Sequence, residues 1–394
     1  MGKSIQKILV LVVILFLNLN LKSESIVSNK TKHNSNPILL KIPKLTFQMI
    51  EESKKGWIMK NGLDFSGAVY DPIRHKIYQF GGGHATGTFP NVVYEFDFKQ
   101  LIWEGLTTSV PPSDYSAERA LKDSEGKKLG GIKWKGKIYP GSRHMYGGVR
   151  IIPGTSKVIL LSSMEFIGGR SQMPNRGKDY RANYQGGTGL WIFDVLKKEW
   201  IVLKNKSGMV STYGSGAITP KKPNWAYHFG YRIKHKINLL TGESVKMPSG
   251  KLVGYPGLNY CPEDGKFYAS PCTSKMPHAK LVCIFDPMKE VWLYKTPTGS
   301  LPFSYDRDMV WDSLQKVFVC FTTKGVRYYS PVENKWYDLK AENEEIGKHK
   351  ALWHHHIYDP INNVHIGINP KWKTFAFKFD DKGGVLPGTG LKFN

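Results

Sequence analysis

The chain has 394 residues, 41% of them hydrophobic and 13% aromatic, ample for a large core in one big domain or two ordinary ones. Lys and Arg number 56 against 32 Asp and Glu, a formal charge of +24. Such an excess attracts polyanions through long-range field and counterion release, and half of the lysines are read as solvating strand edges and turns.

Lys3 and Lys7 precede the apolar run 8–17, and Ser23 and Ser25 stand like a small-x-small cleavage site, so residues 1–25 read as a signal peptide. Asn18 and Asn20 break the run short of the roughly 20 residues a bilayer span needs. No later run is apolar enough to span, so after cleavage a soluble protein is expected outside the cytoplasm, secreted, extracellular or periplasmic. Losing Lys3, Lys7, Lys22 and Glu24 leaves it at +22. Residues 26–37 read as a flexible leader and 38–394 as a single domain.

Within that domain one arrangement recurs. Phe96-Asp97 precedes Trp103, and the same offset returns in Phe193-Asp194 with Trp200, Phe285-Asp286 with Trp292 and Tyr329-Ser330 with Trp336; Ile237-Asn238 with Ser244 is a weaker copy. The residues between are turn-forming or charged, so each copy reads as strand, tight hairpin, strand. Upstream of four copies lie two further β-rich runs: 67–70 and 76–80, 148–152 and 157–161, 258–261 and 266–270, 309–311 and 316–321. Four strands per unit follow, at a spacing close to the ~40–50 residues of propeller blades.

The last unit has three strands, 354–358, 364–368 and 374–380, and Trp57 in Gly-Trp-Ile-Met is expected to supply the fourth. That pairing would close a ring and leave no open sheet edge. Six blades are counted. The doubled step from Trp103 to Trp200 leaves room for a seventh, but Pro111-Pro112, the charged stretch 118–128 and Gly130-Gly131 are poor strand material, so a long loop is expected over 107–143. The fold class is therefore an all-β propeller; a pair of β-sandwiches would not explain the fixed Asp-to-Trp offset.

Gly81-Gly82-Gly83, Val93-Tyr94-Glu95-Phe96-Asp97 and Trp103 resemble the double-glycine, tyrosine and tryptophan pattern of kelch-type, galactose-oxidase-like propellers. Other units lack the glycine pair. Such a resemblance implies a scaffold and leaves the chemistry to the loops.

In a four-stranded blade the loops after the second and fourth strands emerge on one face. That face collects His84, Arg170, Arg176, Tyr180, Arg181, Tyr184, Tyr227, His228, Tyr231, Arg232 and His278 with Arg143, His144, Tyr146, Tyr213, Tyr255, Tyr305, Arg307 and 354–356. His84 follows three glycines, where a ligand could approach backbone closely. Either His144 or Tyr146 should look into the central channel. His354 and His356 share one side of a strand and His355 the other, without an evident third ligand for a metal; packing between blades is the plainer reading.

Among known families the chain looks most like the propeller-shaped ulvan lyases, on its signal, its kelch-like pattern and this face rich in His, Tyr and Arg. The resemblance implies β-elimination on an acidic, uronate-containing polysaccharide. His144 or Tyr213 would serve as base and acid, Arg232 and His84 as charge neutralisers, and Arg143, Tyr146, Tyr227, His228, Tyr231, Arg181, Arg307 and Tyr305 as substrate-binding residues. This chemistry needs no cofactor, and the sequence leaves a structural calcium or zinc open. Acidic polysaccharide is expected as partner, with no nucleic acid and a monomeric chain. The alternative is a non-catalytic glycan- or protein-binding propeller. A copper oxidase is disfavoured, because Tyr260 and Cys261 are strand neighbours pointing apart. Cys261, Cys272, Cys283 and Cys320 allow one or two disulfides or buried thiols.

Overall fold

The computed structural model of the protein describes residues 35–52, 66–82, 91–111, 114, 116–141, 143–161, 187, 189–204, 214–230, 234–248, 257–269, 281–299, 309–322, 325–339, 355–369 and 372–383. Among them no helix is long and apolar enough to cross a membrane. A four-residue helix, α1 (Pro37–Leu40), precedes β1 (Thr46–Glu52). Sheet I is β2 (Gly67–Asp71), β3 (Lys76–Phe80), β4 (Val93–Asp97) and β5 (Ile102–Gly105), each antiparallel to the next. A three-stranded sheet follows, β6 (Ala120–Lys122), β7 (Lys128–Trp134) and β8 (Lys137–Pro140). Sheet II is β9 (Val149–Ile151), β10 (Lys157–Leu160), β11 (Gly189–Asp194) and β12 (Glu199–Lys204). Sheet III is β13 (Gly214–Ala217), β14 (Trp225–Gly230), β15 (Lys234–Asn238) and β16 (Ser244–Lys246). Sheet IV is β17 (Asn259–Cys261), β18 (Lys266–Ala269), β19 (Val282–Asp286) and β20 (Val291–Lys295). A two-residue strand, β21 (Thr298–Gly299), pairs parallel with the last strand of sheet V, which is β22 (Val310–Asp312), β23 (Val317–Thr322), β24 (Gly325–Ser330) and β25 (Lys335–Leu339). Sheet VI is β26 (His355–Asp359), β27 (Val364–Ile368) and β28 (Lys373–Lys378), with β1 as its fourth strand.

One turn chemistry builds these sheets. The Oδ1 atoms of Asp71, Asp97, Asp194, Asp286 and Asp312 each accept backbone N–H groups two and three residues on. Four residues after each, the backbone turns left-handed: φ is 56° at His75, 56° at Leu101, 55° at Lys198, 58° at Glu290 and 58° at Lys316. The carboxylate bonds hold side chains there that would otherwise avoid that region. The next strand then resumes, and the tryptophan falls opposite the residue before the aspartate: Phe96 faces Trp103, Phe193 Trp200 and Phe285 Trp292. Tyr329 faces Trp336 in the same way behind Ser330. Ring centroids in these four pairs are 5.3, 4.9, 5.2 and 5.3 Å apart, each pair worth about 0.5–1.5 kcal/mol beyond its burial. Each sheet thus has a turn end, closed by these short turns, and a loop end.

Apolar clusters fill the space between consecutive sheets. Trp191 and Phe193 of sheet II meet Tyr78 and Phe80 of sheet I; Ile159 and Leu190 meet Ala226 and Ile237 of sheet III. Tyr227 and Phe229 meet Phe267 and Phe285 of sheet IV, and Tyr268 and Ile284 meet Phe318 and Trp336 of sheet V. Val319 and Tyr328 meet Phe375 and Phe377 of sheet VI. Ile366 and Trp372 then meet Phe96 and Trp103 of sheet I. Cys261, Cys283 and Cys320 are buried thiols within these clusters, whereas Cys272 lies outside the described residues.

Three expectations change. The strand that completes sheet VI is β1, paired from Thr46↔Lys378 to Glu52↔Lys373, whereas Trp57 lies outside the described residues. The leader read over 26–37 is fixed by its end: buried Asn36 caps α1, donates its side-chain amide to Phe98 O at 2.8 Å and donates its backbone N–H to Asn362 Oδ1 at 2.6 Å. Residues 107–143 are not one long loop but carry β6, β7 and β8. Gly130 sits in β7 at a left-handed φ of 70°, and Gly131 is there because a neighbour fills the place of a side chain. A Cβ at Gly131 would lie 2.1 Å from the Trp191 ring, while Trp191 Nε1 donates to Leu129 O at 2.9 Å.

Candidate functional site

The loop ends of sheets I, II and III come together around the segment that precedes β9. Gly82 N–H donates to Arg143 O at 3.3 Å. Gly81 has φ 82°, and a Cβ there would sit 2.5 Å from the same carbonyl, so only glycine admits the approach. The close contact expected for a ligand at this glycine run is made by the chain's own backbone. A Cβ on Gly147 would lie 3.0 Å from Ser215 Oγ in β13, and Gly214 is registered with Gly230 at the end of that sheet.

His144 is 3% exposed and meets Tyr146 edge-on, with ring centroids 5.7 Å apart. Tyr146, at φ 43° in a 3₁₀ turn (Tyr146–Gly148), lines a cavity of about 510 Å³. Arg143 is 1% exposed, and its guanidinium donates to Gly141 O at 3.1 Å and Gly130 O at 3.0 Å. It therefore ties the inserted sheet to this segment.

Tyr227 and His228 stand inside strand β14, not in a loop, and both are fully buried. Tyr227 Oη reaches the turn end of sheet IV, donating to Pro287 O at 3.1 Å and Glu290 Oε1 at 3.2 Å. Burial, then Glu290, pushes its phenol well above the usual range, which leaves it a structural donor. His228 points toward β13, where a Cβ on Gly214 would lie 2.8 Å from its Nε2. His84, Tyr213, Arg232, Tyr231, Arg181, Arg307 and Tyr305 lie outside the described residues, as do Arg170, Arg176, Tyr180, Tyr184, Tyr255, His278 and His354.

Ser66, His365, Lys234 and Arg150 are polar residues at the sheet joints that escaped the sequence reading, which takes 354–356 as packing between blades. Ser66, just before β2, bonds His355 Nε2 through Oγ at 2.6 Å. His356, on the other face of β26, bonds His365 at 2.9 Å. Lys234 opens β15 two residues after Arg232, and burial lowers its ammonium pKa. Arg150, a charge in the middle of a first strand, was the legible signal among them. Among the described residues no three His, Cys, Asp or Glu side chains converge as a metal-ligand set.

The chain matches no family model and no curated protein. Residues and geometry alone therefore carry the functional argument.

Proposed function

We propose that sheets I to VI are the blades of a ring-closed propeller and that the chain is an exported lyase of an acidic, uronate-containing polysaccharide. Six apolar joints, the last between sheets VI and I, support the ring. The observation that carries the lyase reading is the meeting of Gly82, Arg143, His144, Gly214 and Gly230 at one end of three neighbouring sheets. The segments holding His84, Tyr213, Tyr231 and Arg232 continue from those strand ends.

In β-elimination the C5–H bond and the C4–O bond break, and a C4–C5 double bond forms. His144 or Tyr213 takes the C5 proton and returns one to the leaving oxygen, while Arg232 and His84 balance the charge that builds on the uronate carboxylate. No nucleophile or carboxylate pair is needed. The net charge of +22 left after loss of residues 1–25 draws the polyanion to the protein.

The test is ultraviolet absorbance of newly formed unsaturated uronate, with purified protein and ulvan, alginate, pectate and glycosaminoglycans. A rise is expected, and loss by about 10²-fold or more in His144→Ala or Arg232→Ala. No rise on any polymer would sink the lyase.

The burial of His144 and Arg143 favours a second reading, a glycan-binding propeller without catalysis. That reading expects salt-sensitive retention on the same polymers with no absorbance change.

A further inference from the structure

The β7–β8 hairpin of the inserted sheet ends in a cluster of cations. Over 114–140 seven Lys and Arg residues stand against Asp114, Glu118, Asp123 and Glu125, and Lys133, Lys135 and Lys137 fall together at the hairpin tip. These three lysines and Gly136 are all exposed. Pairing runs Lys133↔Ile138 and Trp134↔Lys137, which leaves Lys135 and Gly136 as the two turn residues.

Two of the four acids are engaged at the other end of the insert. Glu125 meets Lys127 at 3.0 Å and Lys204 at 2.5 Å, and Asp123 meets Lys204 at 3.0 Å. Ala120 pairs with Ile132, so Glu118 and Arg119 lie on the tip side. Asp114 takes Arg119 at 3.0 Å and Trp134 Nε1 at 2.8 Å; Arg119 and then Trp134 hold its carboxyl below the usual range, and Lys135 adds to this. Four cations thus meet two carboxylates at the tip. Among the described residues Lys133 and Lys137 make no ion pair.

The backbone keeps this charge in place. Lys135 has φ 48° and Gly136 φ 78°, positive at both positions as a two-residue hairpin of the primed type requires, where Asn-Gly is the usual pair. In the sheet turns an aspartate four positions earlier holds such a left-handed residue; four positions before Lys135 stands Gly131. The turn therefore carries a lysine that its local conformation does not call for. Trp134 is 9% exposed, meets Tyr139 edge-on at 5.7 Å between centroids, and carries the Lys135 ammonium 4.4 Å from its own centroid. At the base of the hairpin, Gly130 O accepts the Arg143 guanidinium and the Gly141 N–H, both at 3.0 Å. From Lys137 to Pro140 β8 covers about 10 Å, and 141–143 continue from it to His144.

We propose that this tip is a docking site for an acidic polysaccharide, outside the His144 segment and joined to it by β8. The class of polymer rests on the reading given above; the site itself needs no cleavage. Trp134 and Tyr139 are 9% and 8% exposed, so neither offers a ring face for a nucleobase to stack on. Among the described residues of 114–140 no large apolar side chain is exposed to enter a membrane. Ammonium groups presented without apolar or aromatic neighbours suit a hydrated linear polyanion.

Fluorescence anisotropy of an end-labelled oligogalacturonate, titrated with the protein over a salt series, tests this. Lys133→Gln, Lys135→Asn and Lys137→Gln together remove the three charges and give the turn its usual asparagine. Affinity at about 50 mM salt is expected to fall roughly tenfold or more, and the slope of log K against log salt to shrink by about 2–3. A second triple, Lys99→Gln, Lys197→Gln and Lys289→Gln, takes the same charge from exposed turns of sheets I, II and IV and should change affinity by less than about twofold. Equal weakening by both triples would overturn the proposal, because net charge alone would then account for binding. Unchanged affinity in the hairpin triple, no binding of the probe by the unsubstituted protein, or a loss seen with single-stranded DNA and not with oligogalacturonate would do the same. Binding that depends on the hairpin in a protein that cleaves no polymer would sink the lyase and leave this site standing.

Discussion

Gly131 separates two reasons for a glycine. No left-handed φ requires it, but a Cβ there would lie 2.1 Å from the Trp191 ring and 2.4 Å from Tyr139 O. Gly136, in the turn after β7, is the reverse: φ is 78° and nothing lies within 4 Å of an added Cβ. Gly131→Ala should therefore destabilise by roughly 2–4 kcal/mol through overpacking, and Gly136→Ala by about 1 kcal/mol through backbone strain. Urea unfolding followed by tryptophan fluorescence measures both, and equal costs would sink the distinction. At this scale the Asp-to-Trp offset was legible, because the aspartate's bonds to its own turn are local. That Tyr146 lines the cavity was not, because the 3₁₀ turn shifts the strand phase on which that placement depends.

The inserted sheet is an element whose attachment is partly electrostatic. Lys204 of β12 reaches Asp123 at 3.0 Å and Glu125 at 2.5 Å, and Asp114 receives Trp134 Nε1 at 2.8 Å and Arg119 at 3.0 Å. Lys204, then Lys127, holds the Glu125 carboxyl below its usual range; Arg119, then Trp134, does the same for Asp114. For Asp123, desolvation pushes upward but is outweighed by Lys204 and by backbone donors. Lowered folded-state values mean that the stabilisation is present above the ordinary carboxylate range near pH ~4 and is lost as pH falls through those values. Amide exchange over 120–140, corrected for its intrinsic pH dependence, should quicken below pH ~4 relative to sheet II, and less so in high salt. Exchange that tracks sheet II at every pH would show that apolar packing alone holds the insert. The sequence hid these strands because Gly130 and Gly131 lower β propensity locally, while Trp191, sixty residues on, makes them necessary.

For the whole molecule, β1 is the decisive strand. It joins the N-terminal part of the chain to β28 and places Phe47 against Phe321 and Phe377, with centroids 5.0 and 4.7 Å apart. Deleting residues 36–52 should uncover the β28 edge, remove the Asn36 bonds to Phe98 and Asn362, and cost several kcal/mol in total. Calorimetry is expected to show a lower Tm and loss of a single cooperative transition. An unchanged transition would mean that sheet VI is held by its apolar joints without its fourth strand.

The sequence by itself determined the repeating unit, its turns and its aromatic pairs, all set by residues within about ten positions of one another. It also carried the basic charge and the His, Tyr and Arg content from which a function was read. Tertiary structure alone decided which N-terminal strand completes sheet VI and that 107–143 forms a sheet. It also buried His144, Arg143, Tyr227 and His228, and wired Asp312, His365 and His356 together beside a cavity. Each of those outcomes depends on partners from distant strands, whose approach is governed by packing between sheets, and local propensity does not encode it.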